Sequence, residues 1–304
     1  MDLRQLAALV AVAEAGTFSA AAEALHTVQS NVSTHVARLE RELGATLIDR
    51  SAGRLTEEGE LVVARARRIH AELDALAADV ASLRADVSGA TRLGMIGTTG
   101  RWLVPPLLVA MESRHPKVKV TVLEGNTTSL LPQLVAGNVD LAVLNFPAVD
   151  PDVLIDPLFE EDLILVAPTN HPLATKTRVS LADLSEHELL MPPPGASYRA
   201  ELDKVAAGAG IKFRTKAELD GLRLTASMAI DGYGPAVLPS SAVPSWLTGD
   251  FNRIPIRGVP RRRVGLGRRR RGLPSAPARA LDEVLREQVA AQAPKIPGLY
   301  PSAE

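Results

Sequence analysis

Apolar residues recur every three or four positions at the start of the chain (Leu3, Leu6, Ala7, Val10, Ala13), the spacing of one helix face. Residues 17–43, TFSAAAEALHTVQSNVSTHVARLEREL, then read as two short helices joined by a tight turn. At about 100° per residue, Val32, Val36, Leu39 and Leu43 fall in one narrow stripe that packs inward. The opposite face carries Ser30, Thr34, Ala37 and Arg41, flanked by Asn31, Ser33 and Arg38. Phe18 is placed to plug the first two helices, Ser19 to cap the second, and Gly44 to end the third. Leu47 and Ile48 return to the core, and Arg50 to Thr56 form a short polar turn. A helix that opens at Gln29 with small polar residues, and carries arginines further along, suits the major groove. Short side chains bring its backbone near base edges, and arginines hold phosphates. The expected DNA contacts are Gln29, Ser30, Asn31, Ser33, Thr34 and Arg38, with Arg50 and Arg54 on the turn. An ordinary amphipathic surface helix would show the same stripe, but not the close-packed first helix and the wing.

The order AAEALH, QSNVSTHVARLE, ELGATLIDR and LTEEGE resembles the N-terminal domain of the LysR-type transcriptional regulators. The resemblance extends from Met1 to about Val289. It departs at three places. Val28, with Thr27 before it, stands where the family has Ser or Thr, so the N-cap of the reading helix is displaced or lost. Thr34 stands where Arg or Lys is common, and the wing between Arg50 and Leu55 is short by about two residues. The resemblance implies a linker helix that dimerises, tetramers through the C-terminal domain, and small organic acids as effectors.

Between residues 59 and 88 two apolar series keep a seven-residue repeat: Val62, Ile69, Leu76, Leu83, and Ala66, Leu73, Val80, Val87. Their alternating offset of four and three is the seam of a left-handed coiled coil. Arg65, Arg67, Arg68, Glu72, Asp74, Asp79 and Arg84 keep the other faces wet, so the seam needs a partner, most simply a second copy. The expected seam is Val62, Ile69, Leu73, Leu76, Val80 and Leu83.

After Ser88-Gly89 the texture changes. TRLGMIG, a helix from Trp102 to Arg114, VKVTVLEG, the helix SLLPQLVAG and DLAVLNF alternate as βαβαβ, which predicts a parallel sheet. A second set runs from DLILVAP through ELLMP and AELDG to GPAVLP. The chain then returns to the first lobe by a strand after Arg261 and a helix, Ala276 to Ala291, and leaves a loose tail from Pro294. The fold expected is α+β and multidomain. It comprises a winged helix-turn-helix over 1–58, a coiled-coil linker over 59–88 and a two-lobed α/β domain over 89–304. Lobe I takes about 89–161 and 264–293, and lobe II about 162–263. The last domain resembles periplasmic binding proteins, whose ligands sit between lobes at strand ends and helix starts. Thr98, Thr99 and Gly100 follow one strand, Thr127, Thr128 and Ser129 the next, and Asn145 and Phe146 the third. Pro193, Pro194, Gly195, Ala196 and Ser197 would face them from lobe II. Converging hydroxyls and backbone amides suit an anion, most simply a carboxylate. The expected effector contacts are Thr98, Thr99, Gly100, Thr127, Thr128, Asn145, Phe146, Pro194, Gly195 and Ser197. The alternative is that these threonines only cap helices.

Charge sharpens the picture. Residues 1–58 hold five basic residues against eight acidic, a net charge of −3, and the whole chain is at −1. Bulk attraction to phosphate is therefore absent, and DNA binding must come from a few arginines, helix starts and several copies acting together. The run Arg261 to Arg271 holds seven arginines and reads as a solvated edge strand, or as a contact with an acidic neighbouring subunit. There is no cysteine, which excludes disulfides, a thiol nucleophile and a cysteine redox switch. His26, His35, His70, His115, His171 and His187 are scattered without metal-ligand spacing, and no cofactor or metal is expected. No run is apolar enough to cross a membrane, and the residence expected is cytoplasmic. These patterns point to a transcriptional regulator rather than an enzyme. Its expected partners are promoter DNA, a small-molecule effector, a second copy, a homotetramer and RNA polymerase. The competing class is a solute-binding or enzymatic α/β module with an accessory helix-turn-helix.

Overall fold

The computed structural model describes residues 1–82 and 86–302. The chain divides into two compact units, one built on residues 1–77 and one on residues 78–135 and 139–302.

In the first unit, α1 (Leu3–Ala15) opens with a reciprocal cap. The Asp2 carboxylate accepts from the Gln5 amide, and the Gln5 side chain accepts from the Asp2 amide. Gly16 ends the helix at φ +74°, which glycine adopts without a Cβ penalty. α2 (Phe18–Ala24) is capped by Thr17, whose hydroxyl accepts from the Ala20 amide at 3.2 Å. The sequence expectation of a Ser19 cap is corrected by two positions, because Phe18 is already helical and Thr17 is the extended residue before it. α3 (Gln29–Leu43) starts after Val28, which supplies no side-chain cap. β1 (Ile48–Asp49) and β2 (Arg54–Leu55) pair antiparallel as the wing, and α4 (Glu57–Ser82) follows. Leu6, Leu9, Val32, Val36, Leu39 and Leu47 form the core, with Phe18 packed against it. The inward stripe of α3 ends at Leu39. Leu43, on the helix's last turn, is 41% exposed.

Gly59 is buried in the first turn of α4, where the LTEEGE motif meets the wing. A Cβ there would lie 2.0 Å from the Leu47 carbonyl oxygen, and that oxygen belongs to backbone that cannot swing aside. Gly59→Ala is expected to cost the unit about 3 kcal/mol. The first thermal transition of the full chain should fall and operator binding with it. An unchanged melting profile would show that α4 can tilt to admit the methyl.

In the second unit, β3 (Gly89–Ile96), α5 (Gly97–Arg114), β4 (Val118–Gly125), α6 (Thr127–Ala136) and β5 (Leu141–Phe146) form the βαβαβ set. β3 pairs parallel with both β4 and β5. β6 (Val153–Glu161) joins the same sheet, and β7 (Leu163–Pro168) begins the other lobe. That lobe continues with β8 (Val179–Ser180), α7 (Leu181–Ser185), β9 (Glu188–Met191), α8 (Ser197–Gly208) and β10 (Arg214–Glu218). It closes with α9 (Leu222–Ile230), β11 (Ala236–Pro239) and β12 (Phe251–Arg257). β13 (Arg262–Arg269), α10 (Ala276–Gln292) and β14 (Leu299–Pro301) return to the first lobe. The sheet orders are β14-β6-β13-β5-β3-β4 and β10-β9-β11-β7-β12-β8.

Two expectations change. β13 is not an edge: it lies antiparallel between β5 and β6, so the basic run starts inside a sheet. Its arginines are used. Arg261 pairs with Asp162 at 3.0 Å, Arg268 with Asp156 at 3.5 Å, and Arg269 and Arg270 donate to the carbonyls of Val139 and Pro151. The tail is not loose as far as it is described, since β14 pairs with β6 and Leu299 is buried. The first lobe therefore resumes at Arg262 and extends past residue 293. Leu93, Leu103, Leu107, Leu144, Phe159, Leu266 and Leu281 fill the first lobe, and Leu165, Leu189, Met191, Leu202 and Phe213 the second.

Candidate nucleic-acid interface and interlobe cleft

α3 exposes Gln29, Ser30, Asn31, Thr34 and Arg38, with Ser33 half-buried, and the wing exposes Arg50 and Arg54. A groove of about 910 Å³ between α3 and the wing is lined by Gln29, Ser33, Arg50 and Arg54 among others. The Arg50 guanidinium lies 5.5 Å from the Phe18 ring centroid. Because Val28 offers no side-chain acceptor, the Gln29 and Ser30 amides keep their donors for another group, while the Asn31 amide donates to the Val28 carbonyl at 3.0 Å. The acidic surplus of the unit is partly spent on structure. Glu40 accepts from the Leu47 amide at 2.9 Å and the Ile48 amide at 3.3 Å. Glu42 holds the N-terminal amine and the Gln5 amide nitrogen. Asp49 accepts from Ser51 and Ala52 to shape the wing turn, and those hydrogen bonds hold its carboxyl below the usual range.

Along α4, Ala66 is fully buried and Val62 packs against the first core, so both face their own unit. That separates them from the rest of the expected seam: the helix must first cover the winged domain before it can offer a free face. Ile69, Leu73, Leu76 and Val80 are 38, 41, 61 and 47% exposed and keep the 4-3-4 spacing. Leu83 lies outside the described residues.

In the second unit a cavity of about 410 Å³ opens between the lobes. Its floor is a buried polar cluster. Arg262, with 1% of its side chain exposed, donates to Glu161 Oε1 at 2.9 Å, Asn145 Oδ1 at 2.7 Å and Thr98 Oγ1 at 3.1 Å. The other oxygen of Glu161 accepts from the Ser241 hydroxyl at 2.7 Å and the Ser241 amide at 3.3 Å. Tyr198 sits beside this cluster with its ring 5.8 Å from the Arg262 guanidinium, and burial pushes its phenol upward. Three helices begin at the cavity with no side-chain cap: α5 after Ile96, α8 after Ala196 and α9 after Gly221. Across the rim Arg223 pairs with Glu124 at 2.6 Å, and Asn126 donates to Asp220 at 3.1 Å, so both links join one lobe to the other. Gly97 leaves room for the first link, since a Cβ there would be 2.6 Å from Glu124 Oε1. Arg101 donates to the Ser241 carbonyl. Burial lowers its guanidinium pKa from the ordinary value, helped by the nearby charge of Arg223.

The family described as "Bacterial regulatory helix-turn-helix protein, lysR family" matches residues 3–60, and "LysR substrate binding domain" matches residues 84–290. The chain belongs to the LysR family of transcriptional regulators. A probable hydrogen peroxide-inducible genes activator of Streptomyces viridosporus is 34% identical over 294 residues, covering 94% of each chain. A full-length single-substitution variant of OxyR from Pseudomonas aeruginosa superposes with a TM-score of 0.78 at 27% identity, covering 100% of this chain and 98% of that one. CbnR, solved full-length with its target DNA, superposes with a TM-score of 0.69 at 26% identity over 96% of this chain and all of the other. This LysR-type regulator is thus a DNA-binding protein with an effector-binding domain, not an enzyme.

Of the effector contacts expected from sequence, Thr98, Asn145 and Ser197 line the cavity. Thr99 is fully buried, and the Thr127 hydroxyl accepts from the Asn145 amide at 2.9 Å, which makes it a brace for β5. Gly100, Thr128, Phe146, Pro194 and Gly195 do not line the cavity either. Each helical residue turns about 100° from the last, so of adjacent threonines only one can face the cleft. Arg262, Glu161, Tyr198, Arg223 and Asp220 were not among the expected contacts. The opposed triads Glu160-Glu161-Asp162 and Arg261-Arg262-Arg263 were the available signal.

Proposed function

We propose that this regulator reads paired half-sites as a homodimer joined along α4, and that the effector is a small anion, most simply a carboxylate. The observation that carries the effector class is the convergence of three helix starts without side-chain caps on one cavity. Each brings unpaired amide donors and about half a positive charge. Arg262 is already neutralised by Glu161, so those backbone donors are the cavity's uncommitted attraction for an anion. The DNA contacts proposed are Gln29, Ser30, Asn31, Ser33, Thr34 and Arg38 on α3 and Arg50 and Arg54 on the wing. Pairing of dimers through the regulatory unit gives the homotetramer, and the residence is cytoplasmic. Among the described residues, no single helix is long and apolar enough to cross a membrane.

Titration calorimetry tests the effector class. Small carboxylic acids should bind and their methyl esters should not. Binding of the ester alone would replace the anion with a neutral effector. Coupling should then be reciprocal, with operator DNA changing the acid's affinity by the same factor as the acid changes the DNA's.

The signal differs from the one named for the hydrogen peroxide-inducible relative. With no cysteine in the sequence, no thiol is present to be oxidised. Operator affinity measured by mobility shift should be the same with and without hydrogen peroxide. A tenfold change would mean that a residue other than cysteine carries a peroxide response.

A further inference from the structure

Thr34 stands on the exposed face of α3, one turn after Ser30. Its hydroxyl donates to the Ser30 carbonyl at 2.8 Å. A threonine can turn its Oγ1 back on the preceding turn in this way, which spends the side chain's one donor inside the helix. The remaining heavy atom on Cβ is the Cγ2 methyl. Asn31 is similarly committed, since its amide nitrogen donates to Thr27 Oγ1 at 3.0 Å. Gln29, Ser30 and Ser33 make no such side-chain bond among the described residues.

We infer that Thr34 is a specificity-determining residue that reads a thymine through methyl-to-methyl contact in the major groove. The inference rests on the proposed reading of α3 as the recognition helix. The major-groove edge of thymine is distinguished by its C5 methyl, and apolar contact with a threonine methyl is one of the ways it is read. A hydroxyl already bonded to the backbone has no hydrogen left to donate to guanine or to thymine O4. The neighbouring Ser30 and Ser33 retain theirs, so the Thr34 methyl stands beside hydrogen-bonding positions, with the half-buried Ala37 about one turn further on.

Deoxyuridine differs from thymidine only in lacking that methyl, which makes the test direct. The full-length protein is footprinted on the DNA upstream of its own gene, and each thymine of the protected half-sites is replaced in turn by deoxyuridine. One position per half-site should weaken binding about fourfold, which is about 0.8 kcal/mol for one buried methyl, and replacing both should weaken it about fifteenfold. Thr34→Val, which keeps a methyl and drops the hydroxyl, should retain that penalty. Thr34→Ser, which keeps the hydroxyl and drops the methyl, should erase it. Uniform tolerance of deoxyuridine by the wild type overturns the role of Thr34 while leaving DNA reading intact. The same holds if Thr34→Ser keeps the penalty or Thr34→Val loses it. Absence of protection on every DNA tried, with the protein folded, overturns the assignment of α3 itself.

Discussion

Arg262→Met lowers the thermal midpoint of the regulatory unit by on the order of 10 °C, because it strands a buried carboxylate. Glu161 is fully buried, and without Arg262 its charge is met, among the described residues, only by Ser241. Removing one partner of a buried pair costs about 3–5 kcal/mol, since the remaining charge has left water without a counterion. For a unit of this size each kcal/mol moves the midpoint by about 2–4 °C. The double variant Arg262→Met with Glu161→Leu should recover much of the loss, because two desolvation penalties disappear together. Calorimetry of the full chain reads both. If the single variant melts with the wild type, water reaches Glu161 in solution and the pair is not sealed between the lobes. The position gives the effect its functional weight. Glu161 ends β6 and Arg262 begins β13, the strands flanking the two crossovers between lobes, and Ser241 belongs to the other lobe. The cluster therefore ties the lobes together at the floor of the cleft where the effector is proposed to bind.

That cluster also marks where the sequence stops being legible. The α3 stripe, the wing and the βαβαβ order depend on local periodicity, and local periodicity is visible in one chain. Val32, Val36 and Leu39 are buried as their spacing requires. Thr98 and Ser197 are legible because a strand followed by a helix start is a local pattern, and Asn145 because it stands at a strand end. Arg262 reads as part of a solvated edge because its partners lie far off in the chain: Glu161 is 101 residues away and Thr98 164. Strand order decides whether a strand is an edge, and nothing local announces that β13 inserts between β5 and β6. The Ser19 and Leu43 readings fail at helix ends, where periodicity cannot say which residue is first or last inside the packing.

Leu73→Asp with Leu76→Asp should break the α4 seam, splitting the proposed tetramer into pairs held only through the regulatory unit, and reduce affinity for a paired operator by about 10²–10³-fold. Four apolar side chains, Ile69, Leu73, Leu76 and Val80, lie 38–61% exposed on one face of α4, although burial of each is worth about 1.5–3 kcal/mol. In a two-stranded coiled coil they would interdigitate, and a carboxylate at two of these positions would face its symmetry mate across the seam. The loss of DNA affinity follows from charge. With a net charge of −3 over residues 1–58, a single winged domain has little general attraction for phosphate and relies on a few contacts. Linking two domains makes the second half-site encounter intramolecular, and that gain is what the variant forfeits. Sedimentation should report half the wild-type mass, and a single half-site should bind variant and wild type equally. A variant that keeps the wild-type mass and operator affinity removes the α4 seam from the assembly. A smaller assembly that keeps its affinity shows that joining winged domains along α4 is not needed for binding.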